Sequence, residues 1–277
     1  MKVKGWKYYN HAAVPTTSPH EKVDTSAIEN GQVWKIGGGR PLLARWITDF
    51  DCGHETNWWY VIKDEPFDIE NLKSKRRYEI KKGIKNFEVR HINPADYKDE
   101  IYKVQVAAFS AYPEKYRPTI VEEDFKKQIG KWNEYDIFGA FHKETEELVG
   151  YALLSNINDK FVDFNVLKTN PEHEKNAVNA ALVHGLMDYY KEFLSAGGII
   201  SDGARSINHE THFQDYLEKY FGFRKAYCHL NIKYNPKVGW LIKILYPFKR
   251  IMLKLDGIGI VHSVNAVLKM EEIVRSD

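Results

Sequence analysis

The chain has 277 residues, 43% hydrophobic and 28% charged, enough to bury a sizeable core in one large domain or two small ones. With 40 Lys and Arg against 38 Asp and Glu the formal charge is only +2, so binding to nucleic acid or anionic membrane has to come from local patches. Cys52 and Cys228 fit neither a disulfide framework nor a zinc spacing, MKVKGWKYYN lacks a signal-peptide core, and no stretch approaches about eighteen uninterrupted apolar residues; the expectation is a cytoplasmic protein.

Residues 1–70 are rich in aromatics, Gly, Pro and Thr, with short runs such as Trp58, Trp59, Tyr60, Val61 and Ile62 between turns such as Gly37-Gly38-Gly39, which reads as irregular β structure. LKSKRRYEIKKGIK follows, strongly basic, with Leu72, Arg76, Ile80 and Ile84 at helical spacing: a short helix, weakened by Gly83 and joining two halves. From Asn86 the pattern becomes regular. NFEVRHI is a strand, Asn93-Pro94 caps a helix carrying Tyr97, Ile101, Val104 and Ala108 on one face, and a second helix carries Val121, Phe125, Ile129 and Trp132.

Three strand runs come next, DIFGAF, ELVGYALLSNI and FVDFNVL, joined by short polar turns as in an antiparallel meander. A helix over about 175–194, with Val178, Leu182, Leu186, Tyr189 and Phe193 on one stripe, closes before Gly197-Gly198. GIISDGA is a short buried strand, HFQDYLEKYF a helix, and RKAYCHLNIKY the last strand or strand pair. The order βααβββαβαβ predicts an α/β or α+β class: a mixed, mostly antiparallel sheet flanked by helices, with a β-rich N-terminal extension. The predicted organisation is an aromatic-rich region and basic linker over 1–86, the main domain over 87–236 and a basic amphipathic tail over 237–277.

This element order, with LVGYALL on the third strand, Pro171-Glu172 before the long helix and YFGFRKAY after the last one, resembles the GNAT superfamily of acyltransferases. The basic KSKRRYEIKKGIKNFEV leading into the domain is similar to the linker of Fem-type aminoacyltransferases and relatives acting in cell-envelope polysaccharide or peptide synthesis. The resemblance implies transfer of an acyl group, from acetyl-CoA or another acyl-CoA or from aminoacyl-tRNA, to an amine such as an amino sugar. It also implies a cleft where the fourth and fifth strands splay. The phosphate turn of the superfamily reads R/Q-x-x-G-x-G/A; here Glu174 stands at the Arg or Gln, Ala177 at the first Gly and Asn179 at the second, leaving Lys175, Asn176 and Ala177 as the cofactor-binding positions. Glu174 adds an anion near the expected phosphates.

Amine acylation needs a base, oxyanion donors and an acid for the leaving group. Strand alternation puts Val162, Phe164 and Val166 on one face and Phe161, Asp163 and Asn165 on the other, which makes Asp163 the candidate base and Asn165 a substrate contact. Tyr216 and Tyr220 flank the position where the resemblance implies a catalytic tyrosine, itself Glu218 here. SDGARSINHETH is the richest polar cluster: Arg205 as a carboxylate or phosphate clamp, His209 as a substrate contact, and Asp202, Asn208 and Thr211 as loop and capping residues. His209 and His212 lack a third ligand at a recognisable spacing, so no metal is expected there. Trp34, Trp46, Trp58 and Trp59 read as core, with sugar stacking as the functional alternative.

Lys73, Lys75, Arg76, Arg77, Lys81, Lys82 and Lys85 read as a solvated face interrupted by Glu79, with a tRNA backbone as the alternative partner. The tail VGWLIKILYPFKRIMLKL aligns Lys243, Arg250 and Lys254 beside Trp240, Leu241, Ile244, Leu245, Phe248, Ile251 and Leu255, kinked at Pro247, a pattern suited to peripheral membrane contact or to packing on the domain. The sequence reading is an N-acyltransferase; the alternative is a GNAT-like binding or scaffolding module that has lost catalysis.

Overall fold

A computed structural model describes residues 1–114, 117–207, 212–254 and 259–276. In chain order the strands and helices are β1 (Trp6–Tyr9), β2 (Ala12–Pro15), α1 (Ser26–Glu29), β3 (Leu43–Thr48), β4 (Trp58–Lys63), α2 (Ser74–Asn86), β5 (Phe87–His91), α3 (Lys98–Ser110) and α4 (Glu122–Ile129). Then come β6 (Tyr135–His142), β7 (Leu148–Asn158), β8 (Phe161–Thr169), α5 (Val178–Tyr189), α6 (Lys191–Ser195), β9 (Ile199–Ala204), α7 (His212–Phe221), β10 (Arg224–Tyr234), α8 (Pro236–Leu245), α9 (Lys249–Lys254) and α10 (Gly259–Ser276). The class is mixed α/β, as the element order predicts.

The chain forms two compact units: residues 62–203 with 213–224, and residues 1–61 with 204–212 and 225–277. These cut across the predicted segments. The last strand, β10, leaves the main domain to pair antiparallel with β3, from His229 opposite Thr48 to Tyr234 opposite Leu43. The tail does not stand apart either, because Met270 of α10 is buried in one cluster with Ala12, Leu43, Trp58, Cys228 and Leu230. A contiguous reading of the sequence misses this because the partners are joined only by the fold.

In the first of these units the sheet runs β9-β8-β7-β6-β5, with β5 to β8 an antiparallel meander and β9 added parallel to β8. Residues across from each other share a face, so Tyr151 and its partner Gly139 look one way while Phe138 looks the other. On the first face Ile101 and Val104 of α3 and Ile129 of α4 close a core with Ile137, Phe141, Tyr151 and Leu153. The Tyr151 hydroxyl there donates to Gln105, which satisfies the two buried polar groups jointly. Against the opposite face lies α5: Phe138 meets the rings of Tyr189 and Tyr190.

The predicted helix over 175–194 is broken twice. Ala177 takes a left-handed backbone (φ 63°) after a 3-10 turn over Pro171–Asn176, and the chain leaves helical geometry again at Tyr190 before α6. Its end is as predicted, since Gly197 has φ 84° and Gly198 N–H donates to the Phe193 carbonyl. Gly83 does not merely weaken α2. A Cβ there would sit 2.5 Å from the Ala177 carbonyl oxygen and 2.9 Å from the Ala181 nitrogen, so only glycine lets α2 lie directly on the start of α5.

In the other unit β1 and β2 form a hairpin, β2 runs parallel to β3, and β3 is followed by β10 and β4. Val3, Trp6, Val33, Ile36 and Ala44 make a second core, and the Trp6 indole donates to the Asp24 carbonyl. Residues 1–61 are thus short strands, turns and single helical turns around an aromatic core, which explains Trp46 and Trp58 as packing residues.

Candidate active site

The β8–β9 ladder is short. It pairs Phe161 with Ile199, Val162 with Ile200 and Asp163 with Ser201, whereas β8 continues to Thr169. Asp163 therefore stands at the end of the ladder, and Asp202 follows one residue beyond its last partner. The predicted alternation fails just past this point. Leu154 pairs with Phe164 but Leu153 pairs with Val166, so Asn165 is the extra residue of a β-bulge. The bulge moves Val166 to the face of Asp163 and Ser155, where it packs on the Tyr151 and Leu153 core, and it leaves Asn165 exposed rather than beside Asp163.

Asp202 is the residue the sequence reading undervalued as a loop or capping group. Burial pushes its carboxyl pKa up to about 7, the negative charge of Asp163 adds to the rise, and a hydrogen bond from Gln214 opposes it. The signal in the sequence is an Asp inside the apolar run GIISDGA, matched by another inside FVDF. A carboxyl that titrates near neutrality can accept and return a proton at ordinary pH, and the Asp163 charge on the adjacent strand helps to hold it there.

Helix α7 lies against the same strand, with the Phe213 ring 5.7 Å from that of Phe164. Tyr216 follows one turn on, between Phe213, Tyr220 at 4.8 Å and Phe221. Its hydroxyl is buried and has no hydrogen-bond partner among the described residues. Burial first, then the charge of Glu79 and the neighbouring Tyr220, raise its pKa, so it stays a proton donor across the neutral range. Tyr220 is placed differently: its hydroxyl is bonded to Glu79, and the Arg76 guanidinium lies 5.8 Å from its ring centre. Of the two predicted tyrosines, Tyr216 is the one whose hydroxyl is uncommitted.

The other predicted positions are not gathered here. Arg205 belongs to the unit containing β3 and β10; its guanidinium stacks 4.3 Å over the Trp59 ring and donates to the Asn57 carbonyl at 2.6 Å. His209 lies outside the described residues, as do Asn208 and Thr211. Lys175 is exposed, Asn176 half-buried and Ala177 buried; the Ala177 carbonyl accepts from the Ala181 N–H at 3.1 Å and lies against Gly83 of α2. Asn179 accepts from the Thr169 hydroxyl at 2.8 Å. A CoA pyrophosphate needs convergent N–H donors, glycine at the close approach and no competing anion. The start of α5 instead offers a helix seated on α2, side chains at both expected glycine positions and Glu174, so these residues do not fit that group.

The basic run of α2 is partly consumed by the fold. Arg77 and Lys81 both pair with Glu70, and Arg76 donates to the Lys219 carbonyl at 2.6 Å. Lys73, Lys75 and Lys85 are exposed.

No family model and no curated protein matches the chain. Among solved structures it is similar to L-PGS from Bacillus licheniformis, with 13% identity, a TM-score of 0.51 and 87% of this chain over 83% of that one. A C-terminal domain of a lysylphosphatidylglycerol synthetase homologue from Agrobacterium fabrum matches with 10% identity, a TM-score of 0.51 and 86% over 82%. FemX matches with 10% identity, a TM-score of 0.51 and 80% over 81%. At these identities the likeness is one of fold: the chain shares its fold with FemX and with the two lysylphosphatidylglycerol synthetase structures.

Proposed function

We propose that the chain is an N-acyltransferase that moves an acyl group from an activated ester to an amine, that Asp202 and Tyr216 carry the proton transfers, and that the charge of Asp163 tunes Asp202. The observation behind this is the buried Asp202 carboxyl just past the end of the β8–β9 ladder, which titrates near neutrality. The ammonium of the acceptor loses its proton to the Asp202 carboxylate, directly or through water, while Asp163 keeps that carboxylate basic. The freed amine attacks the acyl carbonyl and a C–N bond forms; the bond to the leaving group breaks as the Tyr216 hydroxyl gives it a proton, and the second proton of the attacking nitrogen restores that hydroxyl. An amino sugar of envelope polysaccharide is the acceptor class suggested by the Fem resemblance. Aminoacyl-tRNA is preferred to acyl-CoA as donor, because the start of α5 lacks a phosphate cradle whereas Lys73, Lys75 and Lys85 remain available to a phosphate backbone.

The test supplies mixed aminoacyl-tRNA or acetyl-CoA with amino-sugar acceptors and follows product mass. Transfer from the aminoacyl ester, with no saturable calorimetric signal for CoA, is the expected result. Acetyl-CoA turnover would overturn the donor, and turnover with neither would favour the non-catalytic module.

We further propose that the protein contacts a membrane surface through residues 236–254. Trp240, Leu241, Ile244, Phe248 and Ile251 are exposed apolar side chains at 43% to 68% of their full area, interleaved with Lys237, Lys243, Arg250 and Lys254. No helix among the described residues is long and apolar enough to cross a membrane. Sedimentation with anionic vesicles should fall at least several-fold when Trp240, Phe248 and Ile251 are replaced by serine; undiminished sedimentation would remove the assignment.

A further inference from the structure

A second chemical cluster lies in the unit that contains β3, β4 and β10, and the acyl-transfer reading does not use it. The loop from β3 to β4, TDFDCGHETN, turns tightly through positive φ at Asp49, Asp51 and Gly53. Those turns carry Cys52 and His54 back toward β10, and the Cys52 N–H is tied to the Tyr227 carbonyl at 3.0 Å. Two residues along that strand stands His229, held in register opposite Thr48. The ligand-capable atoms of Cys52, His54 and His229 all lie within 4.8 Å of one another.

We propose that Cys52, His54 and His229 form a site for a zinc-class divalent cation, with three protein ligands and a fourth position open to solvent or a bound anion. The distances suit one small ion. Tetrahedral zinc, with Zn–S of about 2.3 Å and Zn–N of about 2.0 Å, separates a sulfur from a nitrogen ligand by about 3.6 Å. Cys52 Sγ is 3.9 Å from His54 Nε2, so a shift of a few tenths of an ångström closes that edge. The tautomer is fixed in the useful sense: His54 Nδ1 lies 3.2 Å from the Cys52 carbonyl and donates to it, which leaves the Nε2 lone pair directed at the sulfur. The Cys52 thiol donates to the His54 carbonyl at 3.4 Å, and binding would replace that weak bond by a metal–thiolate bond with release of one proton.

The donor set of one thiolate and two imidazoles is borderline-soft and selects zinc-class ions over magnesium or calcium. A three-ligand site keeps a coordination position for a ligand, unlike a closed structural site. His54 and His229 also wall a cavity of about 500 Å³ together with Asn57, Trp59 and Arg205. A carboxylate or phosphate on the fourth position would meet the Arg205 guanidinium in the same cavity. Arg205, predicted as an anion clamp, would then act beside a bound cation.

The test is titration of the reduced, chelator-treated full chain with cobalt(II), which reports thiolate ligation and geometry by absorption. One equivalent should give a near-ultraviolet sulfur-to-cobalt charge-transfer band and the visible bands of four-coordinate cobalt, both displaced by zinc. Cys52→Ser should abolish the charge-transfer band, and His229→Gln should weaken binding by on the order of tenfold or more with the circular dichroism unchanged. Cys228→Ser, which alters the buried second thiol, and His212→Gln should leave the spectrum intact. No charge-transfer band in the unmutated protein, or one that survives Cys52→Ser, would overturn the site. Neither outcome touches the acyl-transfer assay, which depends on Asp163, Asp202 and Tyr216.

Discussion

Asp202→Asn is expected to lower turnover by a factor on the order of 10² to 10⁴, the usual cost of removing a positioned general base. The asparagine keeps size and burial but cannot take the ammonium proton. Asp163→Asn should act differently. Without the neighbouring negative charge the Asp202 pKa falls from about 7, so the rising limb of the pH–rate profile moves to lower pH while the maximal rate drops less. A stability readout accompanies the kinetic one. The folded-state pKa of Asp202 lies above the unfolded value of 3.8, so the folded state holds the proton longer and stability declines as pH rises from about 4 through about 7. Asp202→Asn should therefore melt higher than the parent at pH 8, by about 1–3 kcal/mol, and this advantage should shrink toward pH 4. Equal rates for parent and Asp202→Asn would remove the residue from the mechanism.

Gly83→Ala is the substitution with the largest expected effect on the fold. In an exposed helix it would be stabilising, since alanine is favoured over glycine by about 1 kcal/mol. Here the new methyl meets the Ala177 carbonyl at 2.5 Å and the Ala181 nitrogen at 2.9 Å, both backbone atoms that no rotamer change can move. The helices must separate, and overpacking of this kind costs about 1–3 kcal/mol or more, enough to reverse the propensity gain. The expected net loss is about 1–2 kcal/mol, read as a lower midpoint in urea at unchanged slope. A higher midpoint would mean that α2 is not seated on α5.

These two residues mark what the sequence could and could not say. The meander and the stripes of α3 and α5 follow from periodicity, because burial of one face imposes it: Ile101, Val104 and Ala108 on one helix, Val178, Leu182 and Leu186 on the other, all buried. Asp163 was accessible for the same reason, as a polar residue in an apolar strand. Gly83 reads as a helix weakener until its neighbour across the helix pair is known. The bulge at Asn165 inserts one residue into a clean alternation and leaves no compositional mark, so strict alternation puts Asn165 beside Asp163 where the structure does not. Asp202 was visible as an acid in a strand, but its pKa depends on burial and on Asp163, which belongs to another strand. Cys52, His54 and His229 are brought together by β3–β10 pairing between distant segments, so local metal-spacing rules pass over them.

The measurement that bears most directly on the proposed catalytic centre is a pH titration of the Asp202 side-chain carboxyl by carbon-13 NMR, in the parent and in Asp163→Asn. The expected midpoint lies near 7 and falls when Asp163 is neutralised. A midpoint near the ordinary 3.8 that ignores Asp163 would contradict this and leave the β8–β9 carboxyls as solvated groups without acid–base work at neutral pH.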